Sequence, residues 1–277
     1  MIIFPNAKIN LGLNVTSRRL DGYHNIETLF YPIGLRDILE VVPAHNNSRR
    51  STGCTLHGTG IDVGCNFDEN LVVKAYHLLN KYYPLPAMDI YLWKVIPCKA
   101  GLGGGSSDAA FSLKLFNELA ELHLSEKELE ALAAQLGADC PFFIRNQPVM
   151  ATGTGAVFKS INVSLKGYFI YIIKPPAEVS TKEAYAGVTP QIPTISVREI
   201  VTHYRLEEWN KYLTNDFEAS IFKQLPELQR IKEQLYDSGA LYASMTGSGS
   251  AFYGIFEKEP ELKGLFNNCF VWGGILD

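Results

Sequence analysis

The chain has 277 residues, of which 47% are hydrophobic and 19% charged, a balance that closes a substantial core without staples and excludes a disordered or fibrous protein. Its formal net charge of −4 argues against a nucleic-acid partner, whose binding would need a concentrated basic surface. Cys54, Cys65, Cys98, Cys140 and Cys269 lack CxxC spacing and read as reduced thiols; with no secretory pattern in MIIFPNAKIN and no apolar run of about 18 residues, the expectation is a cytoplasmic protein with no membrane partner.

In chain order, residues 2–15 and 37–43 read as extended, and Asn70 to Tyr82 carries Leu71, Ala75, Leu78 and Tyr82 at helical spacing. IYLWKVI reads as a strand that ends at Pro97. A glycine run follows, then a helix from about Ser107 with Phe111, Leu115 and Leu119 on one face. A second helix opens at Ser125, where Ser-Glu-Lys-Glu is a capping box, and its apolar face is Leu129, Leu132, Ala133 and Leu136. Gly137 is expected to supply the left-handed residue that ends it, which puts Asp139 on a turn just beyond. After Gly153-Thr154-Gly155 the pattern starts afresh, and a domain boundary is placed near residue 155. KGYFIYII reads as a strand, residues 175–193 are proline-rich, and Glu227 to Ser238 reads as a helix with Leu228, Ile231 and Leu235 inward. The segment ALYASMTGSGSAFYGIF then reads as strand, Gly247-Ser248-Gly249 turn, strand. The pairs Arg18-Arg19 and Arg49-Arg50 read as solvated loops.

The chemistry concentrates in Pro97, Cys98, Lys99, Ala100, Gly101, Leu102, Gly103, Gly104, Gly105, Ser106 and Ser107, where four glycines fall within five positions between a strand and a helix. Side chains that would hold the backbone off a bulky anion are missing, and the helix start adds unpaired amides and about half a positive charge. The run therefore reads as a phosphate cradle. Either Ser106 or Ser107 can cap the helix or meet a phosphate-bound Mg²⁺. A flexible linker would rarely join a strand to an amphipathic helix. A Rossmann site is the sharper rival, since Gly101-x-Gly103-x-x-Ser106 approximates its fingerprint, but no acidic residue ends a second strand about twenty positions later. Walker A, HRD and DFG sequences are absent, so an ATP-dependent small-molecule kinase of another class is the reading.

Taken with the cradle, PNAKINLGLNV at the start and MTGSGSAF near the end resemble the three motifs of the galactokinase, homoserine kinase, mevalonate kinase and phosphomevalonate kinase superfamily, over essentially the whole chain. Within it, PNAKINLGLNVTSRRLDGYHNIETLF and LGADCPFFI look like the branch that phosphorylates a cytidine diphosphate ester of methylerythritol on its 2-hydroxyl in the non-mevalonate isoprenoid route. The resemblance implies an α+β fold of two domains. Residues 1–155 would be ribosomal protein S5 domain 2-like and bind ATP with Mg²⁺; residues 156–277 would be ferredoxin-like and complete the site for the cytidyl substrate. One departure is ATGTGAVF at 151–158, where the family more often has ARG followed by another glycine and an acidic residue.

By the same resemblance Asp139 is the base that deprotonates the acceptor hydroxyl, paired with Lys8, while Asn10, two positions on and on the same face of an extended segment, reaches the same substrate. Tyr23 and His24 match a cytidine-binding pair, and Tyr185 an aromatic that stacks on cytosine. Asn70, Leu71 and Lys94 match positions lining the adenosine pocket. Without the resemblance these residues have plainer readings: Asp139 and Tyr23 as turn residues, Lys8 and Lys94 as solvated strand lysines, Tyr185 as core. Metal ligands and oligomeric state are not assigned. The rival functions are a homoserine or mevalonate kinase, which would not need the cytidine residues, and a non-catalytic nucleotide-binding relative, against which intact Lys8 and Asp139 speak.

Overall fold

The structure, a computed structural model, describes residues 1–44 and 53–277, so the Arg49-Arg50 pair lies outside the described residues. Along these residues run β1 (Ile2–Ile3), β2 (Asn6–Arg18), β3 (His24–Arg36), β4 (Ile38–Pro43), β5 (Cys54–Gly60), α1 (Leu71–Tyr82), β6 (Met88–Lys94), α2 (Gly104–Leu119), α3 (Glu126–Ala133) and α4 (Phe142–Arg145). They continue with β7 (Val149–Gly153), β8 (Val157–Ser160), β9 (Phe169–Lys174), α5 (Thr181–Ala186), α6 (Val197–His203), α7 (Trp209–Tyr212), α8 (Glu218–Gln224), α9 (Pro226–Asp237), β10 (Tyr242–Met245), β11 (Phe252–Phe256) and β12 (Phe270–Ile275). By compactness the chain forms two units that interleave: Met1–Ala7, Leu35–Cys98 and Gly103–Gln147 in one, Lys8–Gly34, Lys99–Leu102 and Pro148–Asp277 in the other.

The first unit is built on a sheet of order β1-β4-β6-β5, antiparallel except for the parallel β5–β6 pair. Strand β6 alternates, with Met88, Ile90, Leu92 and Lys94 buried, so one face of the sheet is core and the side chain of Lys94 shares it. Helices α1 and α2 pack together, Tyr76 meeting Phe116 edge-to-face at 5.6 Å. The start of α1 is capped by Asn70, whose side chain accepts from Val72 N at 2.9 Å. The expected capping box opens α3, with Ser125 N donating to Glu128 Oε2 at 2.8 Å.

Two boundaries differ from the sequence reading. Helix α2 begins at Gly104, inside the glycine run, because the first turn of a helix asks for no side chains and Gly103, at φ 72°, turns the chain into it. Helix α3 ends at Ala133, and Gly137 is not its left-handed terminator: Leu136 N and Gly137 N both close onto Ala133 O within a tight turn.

The second unit holds two antiparallel sheets, β2-β3-β7-β8 and β10-β11-β9-β12. Its core joins Leu13 and Val15 of β2 with Phe217 and Ile221, the inward face of α9 (Leu228, Ile231 and Leu235) and Phe252 of β11. Gly12 interrupts β2 at φ 65°, where a Cβ would lie 2.4 Å from Leu213 Cδ1. The strand–turn–strand expected at the end is the β10–β11 hairpin, registered from Tyr242 opposite Ile255 to Met245 opposite Phe252. Among the described residues no disulfide is formed and no helix is long and apolar enough to cross a membrane.

Candidate active site

Between β6 and α2 the chain turns through Lys99, Gly101 and Gly103, at φ 49°, 74° and 72°, so every second residue is left-handed. Left-handed residues in alternation are a backbone feature of anion-binding nests. At α2 the amide of Ser107 pairs with Gly103 O at 2.9 Å, leaving those of Gly104, Gly105 and Ser106 with no acceptor inside the helix. The glycines are not equivalent. A Cβ on the exposed Gly105 would make only an ordinary 3.7 Å contact with Leu71 Cδ1, whereas one on the buried Gly104 would lie 2.8 Å from Ile96 Cγ2. Ser106 is half-buried, while Ser107 is fully buried and its hydroxyl has no partner among the described residues. Burial raises the Cys98 thiol, and it pushes the Cys140 thiol up to about 11, so neither is an activated nucleophile.

Lys94 is not the solvated lysine of the plainer reading. It is 3% exposed and its ammonium bridges the buried carboxylates of Asp37 and Asp108, at 2.7 Å from Asp108 Oδ2. Burial works against that ammonium, but Asp108 and Asp37 outweigh it and hold Lys94 above its ordinary value. Burial also pushes the Asp108 carboxyl up to about 7 against the pull of Lys94. Sequence reasoning missed Asp37 and Asp108. A signal was present: Lys94 shares strand parity with Ile90 and Leu92, and a lysine on a buried face needs a carboxylate partner.

In the second unit Lys8 is likewise buried, 3% exposed, with its ammonium 4.6 Å above the Phe30 ring. It donates to Asn10 Oδ1 at 2.6 Å, Asn10 Nδ2 donates to Thr28 Oγ1 at 3.0 Å, and the Thr28 hydroxyl donates to Gly12 O. That chain fixes the amide of Asn10 and directs Lys8. Thr246, also missed, accepts from Asn10 N at 3.0 Å and donates to Gly101 O at 3.1 Å. Gly101 must be glycine there, because a Cβ would lie 2.0 Å from Thr246 O. Asn215 holds the same turn by donating to the carbonyls of Met245 and Gly247 at 2.8 and 2.9 Å. The Gly247-Ser248-Gly249 turn thus packs on the leading edge of the cradle, and Lys8 N ties β2 to it through Leu102 O at 2.9 Å.

His24 and Tyr185 are brought face to face, ring centroids 4.9 Å apart and planes 18° from parallel. Behind them Tyr185 meets Phe217 edge-to-face at 4.8 Å, so its plane is held by the core. Tyr23 is 68% exposed on the turn before β3, where its amide donates to Asp21 Oδ1 at 3.1 Å and Arg19 pairs with Asp21 at 2.8 Å. Asp139 belongs to the first unit, half-buried in the turn between α3 and α4.

The model of the GHMP kinases N terminal domain matches residues 70–147 and that of the GHMP kinases C terminal matches residues 199–268. A 4-diphosphocytidyl-2-C-methyl-D-erythritol kinase of Parabacteroides distasonis is 52% identical over 278 residues, covering 100% of both chains. The relative of that name in Bacteroides thetaiotaomicron is 53% identical over 262 residues, 95% of this chain and 94% of its own. A crystal structure of 4-(cytidine 5'-diphospho)-2C-methyl-D-erythritol kinase superposes with a TM-score of 0.82 at 33% identity, covering 100% of this chain and 99% of that one. Methanococcus jannaschii mevalonate kinase, at a TM-score of 0.75, 16% identity and coverage of 100% and 98%, shares the fold alone. Both family models fall in order along a chain that matches such relatives over its whole length, and the chain therefore belongs to the GHMP kinase family and is an ATP-dependent kinase.

Proposed function

We propose that the protein transfers the γ-phosphate of ATP to the 2-hydroxyl of 4-diphosphocytidyl-2-C-methyl-D-erythritol, in the non-mevalonate route to isoprenoid precursors. The observation that carries this reading is the similarity, full-length and above 50% identity, to kinases of that name. The stacked His24–Tyr185 pair supports it, because a cytosine ring needs a flat partner and a simple alcohol such as homoserine or mevalonate does not.

ATP phosphates would lie on the amides of Gly104 to Ser106, with Asn70 and the backbone of Lys94, whose side chain is buried, at the adenosine end and residues 97–107 as the cradle. The exposure of Gly105, where a Cβ would meet only Leu71 Cδ1 at 3.7 Å, supports a phosphate there. Among the described residues no group of three or more His, Cys, Asp or Glu could hold a metal ion, so Mg²⁺ would come on the phosphates of ATP, with the half-buried Ser106 as the hydroxyl nearest solvent at the helix start. Bound there, it would neutralise phosphate charge. Asp139 would orient and deprotonate the acceptor hydroxyl, with Lys8 as the cation that keeps it ionised; this pairing rests on the resemblance. Asn10, Tyr23, His24 and Tyr185 would hold the cytidyl substrate. The domain assignment that goes with this reading is S5-like and ATP-binding for 1–155, ferredoxin-like and substrate-completing for 156–277, in a cytoplasmic enzyme.

A coupled ADP-release assay comparing the cytidyl substrate, methylerythritol phosphate, homoserine and mevalonate tests it. The cytidyl substrate is expected to give the highest kcat/KM. Preference for homoserine or mevalonate would sink the acceptor assignment and spare the kinase.

A further inference from the structure

The first unit buries three ionisable side chains to which the proposed phosphoryl transfer gives no step. Lys94 ends β6, Asp37 joins β3 to β4 and Asp108 stands near the start of α2, at 3%, 0% and 2% exposure. The ammonium of Lys94 touches one oxygen of each carboxylate. The other oxygen of Asp37 accepts from Val95 N at 2.6 Å and Ile96 N at 2.8 Å, the first amides beyond β6. At the far end of the loop, a Cβ on Gly104 would lie 3.2 Å from Lys94 Nζ. The triad therefore grips both the exit of β6 and the entry of α2, the two ends of the segment that carries the cradle.

Such a triad contributes little net stability, since the attraction between the charges is offset by the cost of removing them from water. Its second oxygen on Asp108 is buried with no partner among the described residues, a further cost. Replacement by apolar side chains would pack as well. What the charges add is one defined distance between strand end and helix start.

We propose that Asp37, Lys94 and Asp108 are the positioning residues of the phosphate loop: Lys94 is a strut that sets the first turn of α2 against the end of β6, and so fixes where the amides of Gly104 to Ser106 meet the phosphates. The side chain of Lys94 then serves ATP without touching it. The inference rests on residues 97–107 being the cradle.

Calorimetric titration with MgATP, without any acceptor, tests the strut on the full chain, alongside thermal melts. Lys94→Met is expected to lower the melting temperature, because two buried carboxylates lose their cation, and to weaken MgATP by roughly tenfold to a hundredfold, the scale of a small misplacement transmitted to a site. The triple variant Asp37→Asn/Lys94→Met/Asp108→Asn removes the uncompensated charges; it is expected to recover melting temperature while MgATP stays weak. Recovery of both together would make the triad merely structural and overturn the inference, as would wild-type affinity in folded Lys94→Met. If Lys94→Met does not fold, Asp108→Asn, which keeps the size and an acceptor for Lys94, carries the test, with a loss of roughly tenfold expected and unchanged affinity overturning it. A wild-type protein that fails to bind MgATP would sink the cradle and the strut together, whereas binding by wild type and variants alike would sink the strut alone.

Discussion

A carboxylate that orients and deprotonates an alcohol does nothing to hold ATP, so Asp139→Asn is expected to cut turnover by about 10²–10⁴ with ATP affinity near wild type. Lys8→Ala also acts on turnover, and its loss releases Asn10 Oδ1 from a 2.6 Å bond. Under the proposed pairing the two substitutions should be strongly non-additive in a double-mutant cycle; additive losses would separate Lys8 from Asp139. At the cytidyl end, Tyr185→Ala should cost about 1–3 kcal/mol of substrate binding, the usual scale for base stacking, and Tyr185→Phe little, since the ring rather than the hydroxyl supplies the stack. Equal binding by Tyr185→Ala would return Tyr185 to the core of the second unit. Among single residues, Lys8 and His24 were singled out by motif, and the structure places the Lys8 ammonium over the Phe30 ring and His24 against Tyr185. Asp37, Asp108, Thr28 and Thr246 were not legible, because each acts through a partner distant in sequence, and only Lys94, on the inward parity of β6, pointed to one.

At the scale of elements, the glycines of the run differ in what surrounds them. Gly104→Val would push a branched side chain against Ile96 and Lys94, a core overpacking of about 1–3 kcal/mol, so lost ATP use there would report on folding. Gly105→Val meets only Leu71 Cδ1, with its Cβ at an ordinary 3.7 Å, and is expected to leave the melt nearly unchanged while abolishing MgATP affinity by calorimetry. Unchanged affinity in the folded Gly105→Val protein would dismiss the cradle. The hairpin turn tests separately: Thr246→Val keeps the shape but removes the hydroxyl between Asn10 N and Gly101 O, and should cost about 1–3 kcal/mol of stability for the stranded buried groups. Helix starts marked by side chains, such as the Ser125 box, were read to the residue. The start of α2 was not, because glycine carries no propensity signal for a first turn that is set by packing on β6.

Across the whole molecule, periodicity shows where strands and helices lie but not which distant strands pair, and the grouping of Lys8–Gly34 with Pro148–Asp277 depends on such pairing, Ile26 opposite Gly153 through Phe30 opposite Val149. That grouping bears on the proposed catalysis. His24 and Thr28 lie on one face of β3, four residues or about 13 Å apart along the strand, so one strand carries both the stacked aromatic pair and the Lys8–Asn10–Thr28 chain. Under the proposed cytidyl reading, binding energy collected at the cytosine would help hold the erythritol hydroxyl, as remote contacts do when they lower the barrier rather than only the KM. The expected outcome is that methylerythritol phosphate, lacking the cytidine, shows a lower kcat at saturation as well as a higher KM, and that Tyr185→Ala reduces kcat on the cytidyl substrate but leaves the slow reaction of the truncated one unchanged. Steady-state kinetics on the two acceptors with both proteins decides it. An equal kcat for the two acceptors would mean that the aromatic pair only tightens binding and has no part in placing the hydroxyl.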